Sequence, residues 1–411
     1  MKQCDVFIIG GGPAGSIAGA KLVQAGLKVK LVERQTFPRF VIGESLLPRC
    51  NDLLERANML ACIQQANFQF KGGVAFEDEQ QHHEVFHFAN NLGETHNSSF
   101  QVKREVFDHT LLNEAERLGV DVEFESEVIA VDPDLVQITV KTKHGELETY
   151  QAKKIIDASG YGRVLPRLLD LDTGSSLPLR RATFCRVEQD IRPQDGTDGY
   201  IYVYIHGNND AWIWNIPFND GITSVGIVCT EAYFQSFNLS NEDFWQHIID
   251  SNPSAAARYK HARRINPVNA LSGYSAAVKK LYGEHFVLVG NASEFLDPVF
   301  SSGVTLALES GSVAADLTLD QLQGKAVDWQ KDYEDYMMLG INVFRTFVES
   351  WYDGRLQTIF FHAEKDERIK QAITSILSGY VWNKHNFFVK DAEHAVNTVI
   401  EMIAMRQHGT D

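Results

Sequence analysis

No run of apolar residues in the chain comes near the ~20 needed to cross a bilayer. The first strand-like segment, Val6-Phe7-Ile8-Ile9, follows almost directly on Met1. That leaves no room for a secretory leader and sets the expectation of a cytoplasmic protein. Without a leader, the sequons Asn97-Ser98-Ser99 and Asn238-Leu239-Ser240 carry no meaning. Positive charge is scarce: 38 Lys and Arg face 54 Asp and Glu, a net charge of −16. Such a surface argues against nucleic acid or an anionic membrane as partner. Cysteine is also sparse, with Cys4, Cys50, Cys62, Cys185 and Cys229 scattered and no CxxC pair. Free thiols in a reducing compartment fit that usage. Internal repeats, low-complexity stretches and legible Ser-His-Asp or Cys-His constellations are absent. His82-His83-Glu84-x-x-His87 lies in a strand-like alternation whose side chains diverge, so no metal site is expected.

What is present is a globular composition, 44% hydrophobic and 22% charged over 411 residues. That is enough chain for two domains or one large composite one. Gly10-Gly11-Gly12-Pro13-Ala14-Gly15 follows the apolar run at once, and the next apolar run, Lys28 to Val32, ends in Glu33 and Arg34. Strand, glycine turn, helix and acid stand in register for a dinucleotide. Gly10 lets the chain turn, Gly12 admits a pyrophosphate and Gly15 lets the helix pack on the strand. The helix, from about Ala14 to Ala25, aims free N–H groups at the phosphates. Glu33 meets the ribose hydroxyls, which favours an unphosphorylated ribose: FAD or NAD rather than NADP.

Further along, residues 46–66 read as amphipathic helix and Phe68 to Phe100 as alternating hairpins. Arg104 to Leu118 is helical, Ile155 to Gly160 is a second buried strand, and 180–230 is a strand-rich, aromatic block. Phe286 to Gly290 returns to the nucleotide fold and 303–322 is helical. The expected fold is α/β: a split Rossmann-type domain, an inserted antiparallel-sheet substrate domain and a helical C-terminal segment. Boundaries fall at 1–175 (with a hairpin insertion around 68–100), 176–275, 276–325 and 326–411. A cofactor contacted from both ends of the split fits FAD better than NAD.

Several further segments carry a resemblance. They are Gly43-Glu44-Ser45, Arg104-x-x-Phe107-Asp108-x-x-Leu111, Asp157-Ala158-Ser159-Gly160-Tyr161-Gly162-Arg163, and Gly290-Asn291-Ala292 with Asp297-Pro298-Val299-Phe300-Ser301-Ser302-Gly303. To these are added Trp212-Ile213-Trp214-Asn215-Ile216-Pro217 and Phe68-Gln69-Phe70-Lys71-Gly72-Gly73. Together they resemble the flavin-dependent monooxygenases with a glutathione-reductase-type FAD fold, and within them the flavin-dependent halogenases, from residue 1 to about 320.

The resemblance implies FAD as cofactor, held by the fingerprint residues and by Arg34, Glu44, Ser45, Arg104, Ala158, Ser159 and Gly160. Gly290, Asn291, Pro298, Ser302, Gly303 and Val304 complete that set. Most relatives have Asp where Asn291 stands, and an amide keeps the hydrogen bonding without the charge. Arg104 at a helix start is disfavoured by the dipole, a cost that a bound polyanion would offset. The resemblance further implies a halide near Ser302 and Gly303, a WxWxIP strand (Trp212, Trp214, Pro217), and a catalytic Lys71 between aromatics and glycines that can desolvate it. Reduced flavin and oxygen would give a C4a-hydroperoxide, halide would give hypohalous acid, and Lys71 would direct the halogen to a phenol or pyrrole, free or carrier-bound. A separate NAD(P)H flavin reductase is expected, since no second GxGxxG is legible. Tryptophan halogenases carry Glu where Phe300 or Ser301 stands, which disfavours tryptophan as substrate. A monooxygenase or a prenyl-reductase-like dehydrogenase on the same scaffold is the alternative.

Overall fold

The computed structural model describes residues 1–174, 178–273, 277–294, 296–363 and 366–408. Its nucleotide half is a five-stranded sheet ordered Phe286–Leu288, Lys154–Asp157, Val6–Ile9, Val29–Glu33, Asp121–Phe124. Every pairing in it is parallel. Four of these strands are buried along their whole length, which is why they read as continuous apolar runs rather than alternations. The helices Pro13–Gln24 and Ser302–Leu322 lie together against the sheet. Gly311 makes that approach possible, because a Cβ there would stand 2.4 Å from the Ala14 carbonyl oxygen.

The second layer is an eight-stranded sheet running through Arg180–Glu188, Ile222–Thr230, Ala211–Pro217 and Ile201–His206. Trp212 and Trp214 alternate with Ile213 and Asn215, so both indoles leave one face. That face joins the main core with Phe184 and Ile216, while Ile213 joins a separate core with Phe244, Trp245 and Ile248. The expected insertion around 68–100 is corrected here. Its strands Gly73–Glu77 and His83–His87 extend this large sheet, the first pairing parallel with Ile201–Tyr204. Residues 46–66 likewise split into two helices, Pro48–Arg56 and Leu60–Gln65.

Beyond Leu322 the chain is helical, with Tyr336–Tyr352, Arg355–Phe360, Glu367–Leu377 and Ala392–His408 as its main elements. Phe344, Phe347, Trp351 and Phe360 are buried there against the rest of the core. Among the described residues no helix is long and apolar enough to cross a membrane, and no group of three or more ligating side chains could hold a metal. All five cysteines are free.

Candidate functional site

The glycine turn is built as its spacing requires. Gly10 has φ +101°, and a Cβ on it would lie 2.5 Å from the Ala158 carbonyl oxygen. At Gly15 a Cβ would lie 2.0 Å from the Gly10 oxygen. Gly12 faces open space, its nearest neighbour being an Arg39 guanidinium nitrogen at 3.7 Å from a built Cβ. The helix that follows has no side-chain cap, so its first N–H groups remain available to an anion. Glu33 is fixed by the N–H groups of Gly11 and Gln35, both at 2.9 Å. Asp157 accepts from Ser159 N–H (2.9 Å) and Leu165 N–H (2.7 Å), which shapes the Ala158-Ser159-Gly160 turn. Burial pushes the Asp157 carboxyl up, against these hydrogen bonds. Gly290, at φ +57°, donates to Ser310 Oγ at 2.8 Å.

These turns border one cavity of about 890 Å³. Gly10, Gly12, Pro13, Ala14, Glu33 and Arg34 line it, as do Glu44, Ser45, Arg104 and Ala158 to Gly160. Gly290, Asn291, Pro298, Gly303, Val304, Trp212 and Trp214 line the rest. Gly15, Ser302, Pro217 and Lys71 are not on its wall. All four are buried; Gly15 packs against Gly10 and Ala158, and Lys71 bonds to Ser45 on the wall. Bordered by glycine turns, an uncapped helix start and the rings of Phe40, Phe184, Trp212 and Trp214, the cavity fits FAD. When bound, FAD would meet Glu33 at a ribose, the 12–14 turn at its pyrophosphate and the Trp-bearing sheet at its ring system.

Charged side chains around the cavity are already paired with one another. Arg104 does not wait for a bound polyanion: its Nε and Nη2 donate to Asp108, one helical turn on, at 2.7 and 3.0 Å. Its Nη1 donates to the carbonyls of Ile42 (3.0 Å) and Gly43 (3.3 Å), fixing the loop before Glu44 and Ser45. Arg39 faces Gly12 of the glycine turn, lines the cavity and shares Asp108 at 3.4 Å. The Arg39 position carried no periodic or motif signal. Glu44 is buried and committed to Arg186 at 2.6 Å, and Arg186 also holds Glu105. Burial pushes the Glu44 carboxyl up and Arg186 opposes this.

Lys71 is fully buried and does not snorkel to solvent from the hairpin edge. Its ammonium donates to Ser45 Oγ and the Leu46 carbonyl, both at 2.8 Å, and lies 5.2 Å from the centre of the Phe88 ring. Among the described residues no carboxylate pairs with it, and burial lowers it from 10.5 to about 7. Ser45 therefore stands between the lysine and the cavity. Elsewhere in the same core an aromatic cluster joins the sheet to the C-terminal helices, with Phe76 against Trp351 (5.3 Å) and Phe360 (4.9 Å), and Phe300 against Trp351 (6.0 Å). The helix Ser302–Leu322 begins after Ser301, which sits at φ +56° and gives no side-chain cap. Its first N–H groups form a second open helix start at the cavity.

A parallel dinucleotide sheet, a cavity bordered by its glycine turns and a second sheet whose tryptophans line the same cavity define an FAD-dependent oxidoreductase. The tryptophan halogenase family model matches residues 89–406 and an FAD-dependent oxidoreductase model matches residues 5–168. The chain belongs to the tryptophan halogenase family. It is 29% identical to a 1H-pyrrole-2-carbonyl-(peptidyl-carrier protein) chlorinase of Pseudomonas fluorescens, over 97% of this chain and 94% of the relative. A solved flavoprotein/dehydrogenase from Cytophaga hutchinsonii is 42% identical, with TM-score 0.94, over 99% of this chain and 100% of that one. A solved flavin-dependent brominase, 23% identical, shares the fold with TM-score 0.86 over 98% of this chain and all of its own.

Proposed function

We propose that this enzyme places a halogen on an electron-rich aromatic ring of pyrrole or phenol type, with Lys71 as the catalytic residue. The observation that carries the reading is a buried lysine with no carboxylate partner among the described residues, held one side chain behind the cavity. Bound FAD supplies the activation of oxygen and the oxidation of halide to hypohalous acid. The chain's own residues do the rest. Open N–H groups at Ser302 and Gly303 hold the halide. Trp212 and Trp214 wall the ring end of the cavity and keep bulk water from it. Lys71, lowered to about 7, can donate a hydrogen bond to hypohalous acid as ammonium or take the halogen as an amine. Ser45 fixes where that nitrogen sits. The ring to be substituted belongs on the Lys71 side of Ser45.

The pyrrole-carrier chlorinase makes a pyrrole tethered to a carrier protein the first substrate to try. We assign the reductant to a separate NAD(P)H flavin reductase and the location to the cytoplasm, where five free thiols persist. We keep the flavin domain at 1–175 and 276–325 with the substrate sheet at 176–275, to which the hairpin at 73–87 is added. Turnover with FAD, a flavin reductase, oxygen and bromide on pyrroles and phenols tests the reading. The expected result is a product showing the bromine isotope doublet, lost in Lys71→Ala. A second reading, hydrogen transfer on the same scaffold, is favoured by the 42% identical flavoprotein/dehydrogenase. Full turnover by Lys71→Ala without halide would select it.

A further inference from the structure

Three side chains from distant parts of the chain meet where the cavity backs onto the C-terminal helices. The Trp212 indole N–H donates to Tyr352 Oη at 2.9 Å. The Tyr352 hydroxyl in turn donates to Asp297 Oδ2 at 2.9 Å, and the other Asp297 oxygen takes the Val299 N–H at 3.1 Å. Trp212 lines the cavity. Asp297 caps the short turn Pro298–Phe300, which ends at Ser301 and launches the long helix. Tyr352 is the last residue of Tyr336–Tyr352, and the Arg180 guanidinium lies 3.4 Å from its ring centre.

We propose that Tyr352 is a positioning residue of the flavin cavity, holding the Trp212 indole and the Asp297 turn in one hydrogen-bond chain. Through it the protonation of Asp297 reaches the cavity wall. The inference rests on reading the cavity as the FAD site. A hydroxyl has one proton, which here goes to the carboxyl, and its lone pair receives the indole. An ionised carboxylate draws that proton strongly and makes Oη a better acceptor for Trp212, whereas a protonated one weakens both bonds. The groups acting on Asp297 are Tyr352 from the helix, Arg180 from the sheet and the Val299 N–H of its own turn. Glu294 on the preceding loop is engaged by Arg345 at 2.5 Å. Burial pushes the Asp297 carboxyl up to about 6, so the change falls where proteins are readily titrated.

The test is the visible absorption and circular dichroism of bound FAD, titrated from acid to neutral pH, with the FAD dissociation constant read by flavin fluorescence. The wild type should show a midpoint near 6. Tyr352→Phe keeps the ring beneath Arg180 but breaks the chain, and should silence the flavin response to pH and weaken FAD binding about tenfold, since two buried polar groups lose a partner. Asp297→Asn should abolish the midpoint. Trp212→Phe should silence the flavin response, although Asp297 still titrates. A response surviving in Trp212→Phe would mean that Asp297 acts on the flavin directly and would overturn the chain. Wild-type titration and affinity in Tyr352→Phe would overturn it as well. Undiminished FAD binding by Gly12→Val would instead refute the cavity as the FAD site, and the proposal with it.

Discussion

Replacing Lys71 by Met keeps an unbranched apolar stem of similar length and removes only the ammonium. The unfolded chain holds its proton up to 10.5, while the folded one releases it at about 7. Below about 7 both states are charged and the folded state bears the whole desolvation penalty. Between the two values the unfolded chain binds one proton more, so wild-type stability rises with pH. The slope is about 1.4 kcal/mol per unit, on the order of 5 kcal/mol in all. Lys71→Met lacks this slope, yet leaves Ser45 Oγ and the Leu46 carbonyl without their donor, at about 1–3 kcal/mol each. The variant is therefore expected to be more stable than the wild type in mild acid. That advantage should shrink by about 1.4 kcal/mol per unit above neutrality and reverse toward the alkaline end, where only the cost of the two lost hydrogen bonds remains. Urea unfolding of the apo protein across a pH series measures it, because other titrating groups cancel in the difference. A stability gap that does not change with pH would refute the depressed lysine, and with it the chemistry assigned to Lys71.

Other substitutions test the frame. Gly15→Ala should abolish FAD uptake, measured as bound flavin per chain, because its Cβ would stand 2.0 Å from the Gly10 oxygen. Gly226→Ala should cost about 1–3 kcal/mol in thermal unfolding as an overpacked site. It should also weaken FAD binding, since the new methyl would meet the Trp214 indole at 2.1 Å and push it into the cavity. Arg186→Met strands the buried Glu44 and should cost about 3–5 kcal/mol at neutral pH. A carboxyl whose folded value is raised loses stability as pH climbs past its unfolded value of 4.5. The deficit of Arg186→Met, followed by denaturation at two pH values, should therefore be smaller in acid.

The nucleotide half was legible because its signals are local. Val6 to Glu33 contains strand, turn, helix and acid in one stretch, and each glycine's role follows from its neighbours. Lys71 was legible through its flanking aromatics and glycines, which foretold desolvation. Pairing between distant segments was not. Alternation marks Gly73–Glu77 as a strand, but nothing in it names Ile201–Tyr204 as its partner. Tyr352 looks like one more aromatic at helical spacing, and only the fold brings it to Trp212, 140 positions away. The Arg104–Asp108 pair could have been read, since a cation and a carboxylate four apart on a helix are neighbours.

The most direct test of the account is rapid mixing. FAD-loaded protein is reduced without oxygen, then mixed with oxygenated buffer with and without bromide, and flavin absorbance is followed for the wild type and Lys71→Ala. Halide chemistry at the cavity predicts that bromide speeds the return to oxidised flavin in both proteins. An added electron-rich pyrrole or phenol should be brominated by the wild type alone. Flavin kinetics indifferent to bromide, or equal bromination by Lys71→Ala, would contradict it.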